Sequence, residues 1–348
     1  MEEKKEHKRR VRYSGTHPKK FSEKYKEHQP EKYKDVVEKV ISKGSTPAGT
    51  HISIMVNEIL DFLQIQEGQI GLDATLGFGG HTLEMMKCLH GKGHHHALDI
   101  DPIEIEKTKK RLLDLGYGEE ILTIHHMNFA EIETLIETTG KFDYILADLG
   151  VSSMQIDNPE RGFSFKVEGP LDLRLNPQRG ISAAERLQNI DLEELTGMLI
   201  ENADEPYAEQ IARKIISTLK KGKKIETTTA LKEAIEGALF FIPEKERKEA
   251  IKKSCQRTFQ ALRIDVNQEF EVLHTFLEKL PLILAKNGRV AILTFHSGED
   301  RLVKKSFKEL EKQGIYLEVA KDVVRPSATE CNRNPRARST KMRWAIMA

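Results

Sequence analysis

Four short apolar segments, at 70–73, 95–99, 121–127 and 144–149, alternate with stretches of helical periodicity. A strand that is followed by a helix and then by another strand must cross over to pair parallel with the first. The alternation therefore predicts an α/β domain, a parallel sheet with helices on both faces. The connections agree with it. Asp101-Pro102 supplies a helix cap and a proline at the first helical position, and a helix is expected from there to about residue 113. Open sheets of this kind bind ligands beyond the carboxyl ends of their strands, and Asp73, Asp99 and Asp148 stand at three such ends.

The alternation stops near Arg161. Up to about residue 251 no strong strand is visible, whereas helix starts are frequent: Ser182 with Glu185, Asp191 with Glu194, and Glu205-Pro206 before an Ala/Ile-rich run. We read 161–251 as an inserted all-helical domain and 51–160 with 252–348 as the α/β domain. After the insertion, Phe259, Leu262, Val266, Phe270, Leu273 and Leu277 form one helical stripe, and strands are expected at 289–295, 316–324 and 342–347. These would complete a seven-stranded sheet. Residues 1–50 carry 14 Lys/Arg against 8 Asp/Glu with few large aliphatic side chains, and read as a flexible basic arm with a short helix within 31–42.

The stretch Asp73-Ala74-Thr75-Leu76-Gly77-Phe78-Gly79-Gly80-His81 places glycines between a strand and a helix, where the missing Cβ lets the backbone turn sharply and approach a ligand. Asp99, 22 residues after Gly77, is spaced to accept hydrogen bonds from ribose hydroxyls. That suits an adenosine-containing cofactor, either NAD or S-adenosylmethionine. Thr82 occupies the third-glycine position of the nicotinamide fingerprint, and no Tyr-x-x-x-Lys dyad accompanies it, which weighs against an oxidoreductase.

The stretches Asp73-Ala-Thr-Leu-Gly-Phe-Gly-Gly-His81, Asp148-Leu-Gly-Val-Ser-Ser153, Arg161-Gly-Phe-Ser-Phe165, Gly169-Pro-Leu-Asp-Leu-Arg174, Thr258-Phe-Gln-Ala-Leu-Arg-Ile264, Phe295-His-Ser297 and Asn334-Pro-Arg-Ala-Arg-Ser339 closely resemble the bacterial MraW, or RsmH, family. Those enzymes use S-adenosylmethionine to methylate N4 of a decoding-site cytidine in 16S ribosomal RNA. The resemblance implies a Rossmann-like class I methyltransferase sheet, with S-adenosylmethionine as cofactor and small-subunit ribosomal RNA, free or in the assembled subunit, as partner. It implies that Gly79, Gly80 and His81 contact the donor, Asp99 its ribose, Phe129 and Asp148 the adenine side, and Gln155 the surroundings of the methionine moiety. Asp148, or a nearby backbone carbonyl, would accept hydrogen bonds from the attacking amine. Arg161, Phe163 and Phe165 combine a cation with aromatic faces suited to an extruded base. Arg336 and Arg338 lead a basic cluster, with Arg333, Lys341 and Arg343, suited to phosphates.

The resemblance begins near His51 and departs at three places. Met154 replaces a usual proline, Ser254-Cys255-Gln256 a His-Pro-Ala-like stretch, and Gly298 a common leucine. A divergent class I methyltransferase acting on another RNA nucleotide, or a non-catalytic ribosome-assembly factor, are the alternative functions. Three scattered cysteines exclude a disulfide framework, and no apolar run approaches the roughly 20 residues of a membrane span. The cytoplasm is the expected compartment. Adjacent histidines on a strand point to opposite faces, so His94, His95 and His96 with His125 and His126 are expected to hold no metal.

Overall fold

The computed structural model describes residues 53–348, and the basic arm with the helix expected within 31–42 lies outside the described residues. Helix α1 (Val56–Leu63) leads into strand β1 (Ile70–Asp73), followed by α2 (Gly80–Cys88), β2 (His94–Asp99), α3 (Pro102–Asp114), β3 (Leu122–His126), α4 (Ile136–Thr139) and β4 (Phe142–Asp148). The start of α3 follows from its sequence. The Asp101 carboxylate accepts the N–H groups of Ile103 and Glu104, and Pro102 sits where no N–H is needed.

Six helices come next: α5 (Ser153–Asp157), α6 (Ala183–Asn189), α7 (Leu192–Ala203), α8 (Ala208–Lys220), α9 (Thr228–Ala238) and α10 (Glu244–Asn267). Ser182 and Glu185 close a capping box on α6, and Asp191 caps α7 through the Glu194 N–H. Helices α6 to α10 pack around an apolar cluster of their own, with Leu187, Leu199, Ile211, Ile215 and Leu231 at its centre. Cys255, Phe259 and Leu262 join that cluster from α10, which runs without a break past residue 251.

The apolar stripe at 259–277 belongs to two helices rather than one. Gln268 adopts a left-handed conformation (φ 51°) and separates α10 from α11 (Glu269–Ile283). The bend has a packing reason. Phe259 and Leu262 face the helical cluster, whereas Leu273, Phe276 and Leu277 face the sheet. The sheet resumes with β5 (Leu284–Thr294), and after α12 (Ser297–Lys312) come β6 (Tyr316–Val319), α13 (Ala328–Arg333) and β7 (Lys341–Met347). The strand expected at 316–324 ends at Val319, and Val324 rejoins the sheet by a single bridge to Met342.

The seven strands lie in the order β3-β2-β1-β4-β5-β7-β6, with β1 to β5 parallel and β7 antiparallel to both of its neighbours. Period-two alternation divides two cores across it. Ile145, Ala147, Val290 and Ile292 face the cluster containing α11, while Tyr144, Leu146, Ala291 and Leu293 face the cluster containing α1 and α2. Strand order reverses between β1 and β4, which opens a crevice at their carboxyl ends.

Candidate active site

The three strand-end acids have different surroundings. Asp73 is buried and fully engaged, accepting from the Thr75 N–H (3.0 Å) and Thr75 hydroxyl (3.3 Å) on Oδ1 and from the Thr82 hydroxyl (2.7 Å) on Oδ2. It braces the glycine turn. Thr82, which spoils the dinucleotide fingerprint, therefore has a positive task here. Thr75 also accepts the backbone N–H of Asp148 at 2.7 Å, tying β4 to the same turn.

Asp99 receives the Gly77 N–H on Oδ2 (2.7 Å) and the Asp101 N–H on Oδ1 (2.8 Å). Each carboxylate oxygen retains a second lone pair for a ribose hydroxyl. Burial pushes the Asp99 carboxyl up to about 6, against the pull of those two N–H groups. Gly77 has φ +48°, and a Cβ there would meet nothing closer than 3.9 Å, so the turn faces open space. Gly79 and Gly80 are glycines for packing: a Cβ on Gly79 would lie 2.8 Å from Thr108 Cγ2, and one on Gly80 2.1 Å from Ser53 Oγ. No side chain caps the N-terminus of α2, which leaves its first N–H groups available to an anion.

Asp148 is half-buried at the end of β4. Its Oδ2 lies 3.5 Å from His81 Nδ1, and its Oδ1 is buried without a hydrogen-bond partner. Burial pushes this carboxyl up to about 6; His81 acts in the opposite direction, while Asp73 and Glu299 add to the rise. The orphaned oxygen keeps its full capacity to accept a hydrogen bond.

Other expected residues fall in less open positions. Phe129 packs edge-on against Phe276, with ring centroids 4.9 Å apart. Gln155 is buried, its Oε1 accepting the Ser152 N–H (2.9 Å) and its Nε2 donating to Asp101 Oδ2 (2.8 Å). Arg161 departs from its expected role. Its side chain is 7% exposed, NH1 is 2.7 Å from Asp101 Oδ2, and NH2 donates to the carbonyls of Arg174 and Leu175. A guanidinium so enclosed has no face for a phosphate, and it ties the helical segment to the end of β2 instead. Phe163 and Phe165 are partly buried against the helical cluster, Phe165 edge-on to Phe259 at 5.6 Å.

In the basic C-terminal stretch Arg336 and Arg338 are exposed, and Arg336 reaches Asp157 at 3.1 Å. Arg343 is buried on Asp300 (2.7 Å), which Lys341 shares (3.1 Å), so these two are structural cations. His95 donates or accepts with the Tyr144 hydroxyl at 3.1 Å, and His96 Nδ1 meets His125 Nε2 at 3.0 Å. Sequence reasoning missed one cluster: Glu269, His296 and Glu299 each bring a ligand-type atom within 4.8 Å of the others. Glu269 is already committed to Arg263, at 2.7 and 2.8 Å.

Residues 48–347 match the MraW methylase family. The chain belongs to that family. A ribosomal RNA small subunit methyltransferase H 1 of Lachnoclostridium phytofermentans is 71% identical over 342 residues, covering 98% of this chain and 93% of the relative. A protein of the same name from Agathobacter rectalis is 67% identical over all 348 residues, covering 100% of both chains. The likeness therefore includes the first fifty residues. A ribosomal RNA small subunit methyltransferase H of Koribacter versatilis is 39% identical over 300 residues, 85% of this chain and 93% of the relative.

Membership of the MraW methylase family makes the chain a methyltransferase with S-adenosylmethionine as its donor, and it decides against the nicotinamide alternative. The residues fit that donor: an uncapped helix start for a carboxylate, lone pairs on Asp99 for a ribose, and open space over Gly77. Among the three departures from the family pattern, Met154 is buried, Cys255 is buried in the helical cluster beside Ser254, which donates to Glu205 at 2.9 Å, Gln256 is exposed, and a Cβ on Gly298 would lie 2.6 Å from Phe270 Cζ.

Proposed function

We propose that this MraW-family enzyme methylates the N4 amino group of a cytidine in the decoding region of small-subunit ribosomal RNA. The observation that carries the reading is the full-length identity of 67–71% to proteins named ribosomal RNA small subunit methyltransferase H. The bound donor supplies an electrophilic methyl group. The protein must hold the acceptor nitrogen about 3 Å from it in line with the breaking bond. Backbone N–H groups of Gly80 and His81 at the start of α2 bind the donor's carboxylate, beside Gly79, whose own N–H donates to the Leu76 carbonyl; Asp99 binds its ribose, and Phe129 its adenine side. Gln155, whose side chain is engaged with Ser152 and Asp101, contributes by fixing the wall beside the crevice.

Cytosine N4 is a poor nucleophile because its lone pair is delocalised into the ring. Asp148 Oδ1, buried and unpartnered, accepts one amino proton and localises that pair. The 161–251 segment acts as a helical insertion that presents Phe163 and Phe165 to the target strand, while exposed Arg336 and Arg338 pair with phosphates. The arm at 1–50 adds salt-sensitive affinity for RNA. No described helix is long and apolar enough to cross a membrane, in keeping with a cytoplasmic enzyme that meets ribosomal subunits.

Mass-spectrometric mapping of small-subunit RNA, with and without this gene, tests the reading. Loss of a single N4-methylcytidine is expected. Loss of a different modified nucleotide would replace the cytidine assignment by that nucleotide, and an unchanged methylation map would refute both.

A further inference from the structure

We infer that His81 takes up, through Asp148, the proton that the acceptor amine loses as it is methylated. The inference rests on the proposed amine-methylating reading and extends it by one group. His81 Nε2 lies 2.8 Å from the Ile54 carbonyl oxygen, and a carbonyl only accepts, so Nε2 carries a hydrogen. The other ring nitrogen, Nδ1, faces Asp148 Oδ2 at 3.5 Å. If the imidazole were neutral and the carboxylate ionised, two lone pairs would face each other across this contact. The favourable state places one proton between them.

The contact is longer than a hydrogen bond, and catalytic contacts of this kind commonly tighten only once substrate is bound. On the far side of the same carboxylate, Oδ1 is buried and unpartnered. Asp148 thus has one buried oxygen without a hydrogen-bond partner and one toward a base whose tautomer is fixed by the main chain.

The proton balance is complete. N4 forms a bond to the methyl carbon and becomes cationic; an N–H bond then breaks with its electron pair staying on N4. The proton bonds to Asp148 Oδ1, while the proton shared at Oδ2 passes to His81 Nδ1. The positive charge that arrived with the methyl group ends on the imidazolium and leaves to solvent in a later step. Two further acids face the pair. Asp73 on β1 attracts His81, and its oxygens are held by Thr75 and Thr82. Glu299 on α12 adds negative potential at Asp148, with its Oε2 on the Phe295 N–H.

His81→Gln separates positioning from proton transfer, because the amide can still donate to Ile54 but cannot carry a proton. We expect kcat to fall about 10²-fold, with donor affinity held by backbone N–H groups. The acid limb of the rate profile, near pH 6 in the wild type, should move to higher pH because His81 holds the Asp148 carboxyl down. A second measurement needs no turnover: ¹⁵N NMR of the His81 ring in the free enzyme, with and without Asp148→Asn. A shared proton makes the ring titration move in the variant. Wild-type kcat and an unmoved acid limb in His81→Gln, or a ring titration indifferent to Asp148→Asn, would overturn the inference. Failure of the wild type to methylate small-subunit RNA would instead refute the proposed function and leave the NMR result standing.

Discussion

Removing the carboxylate at Asp101 is the sharpest test of how the helical segment is fastened to the sheet. Asp101 Oδ2 accepts from Arg161 NH1 at 2.7 Å and from Gln155 Nε2 at 2.8 Å, while its Oδ1 caps α3 through the Ile103 N–H at 3.0 Å. The pair is enclosed, with side chains 0% and 7% exposed. Asp101→Ala leaves a guanidinium buried without its counter-charge, at a cost of about 3–5 kcal/mol. Loss of the cap adds about 1 kcal/mol. Arg161→Met leaves a carboxylate that still holds Gln155 and two N–H groups of α3, so its cost belongs near the lower end, about 3 kcal/mol. The double variant has no unpaired charge, and should be less destabilised than the sum of the two by about 2 kcal/mol. Urea unfolding of the four proteins measures each quantity. The opposite result is equally concrete. If Arg161→Met leaves stability unchanged but lowers the slope of log K against log salt for RNA by roughly 0.7–0.9, then Arg161 pairs with a phosphate and the buried-strut assignment is wrong.

Gly71→Ala would set a methyl 1.9 Å from the Tyr144 ring, which is fully buried, and is expected to cost about 3 kcal/mol in thermal or urea unfolding; wild-type stability would mean that Tyr144 can swing aside. Asp99→Ala removes the ribose acceptor, a charge-assisted hydrogen bond worth about 1.5–3 kcal/mol, so calorimetry should show donor affinity roughly 10- to 150-fold weaker. Equal affinity would exclude Asp99 from the donor site. Burial lowers the His95 imidazole to about 3, so the folded state keeps it neutral while the unfolded chain protonates near its ordinary 6.5. Its contribution is therefore complete above pH 6.5 and declines as pH falls toward 3. Between pH 7 and pH 5 the loss is about 2 kcal/mol. His95→Leu should remove that part of the slope, and equal slopes in the two proteins would show His95 to be solvated.

The order of elements was readable from sequence because each carries a local signal. Asp101-Pro102 and Ser182 with Glu185 set helix starts by supplying oxygens to bare N–H groups, and the structure has both caps where they were expected. Strand ends agree to within a residue or two where the next residues turn, as at Asp73 and Asp99. The break at Gln268 was not readable. The stripe continues in phase through it, and only the existence of two separate cores, one for Phe259 and one for Phe276, requires the helix to bend there. The end of β6 was hidden for a related reason: Val324 is apolar and pairs with Met342, so the apolar pattern overruns a gap in the ladder that depends on the partner strand.

The site divides along the same line, between residue type and depth. Asp99 and Asp148 could be placed from sequence because a strand end fixes where a side chain points, and each is held there by a contact with the glycine turn. Arg161 was misread because an arginine beside two phenylalanines has the composition of a nucleic-acid contact whether it lies at the surface or beneath it. A clue was nevertheless present. A helix-capping aspartate at the end of a buried parallel strand uses one oxygen on the helix and leaves the other facing inward, where it needs a cation. Asp101 is such a residue, and Arg161 is the cation that meets this need, with the Gln155 amide completing the shell. The same reasoning applied to Asp148 gives the opposite result, since one oxygen lies 3.5 Å from His81 and the other, though buried, has no hydrogen-bond partner among the described residues. Asp148 is therefore the strand-end acid of the three that its own chain leaves incomplete, which is why the proposed reaction assigns the acceptor amine to it.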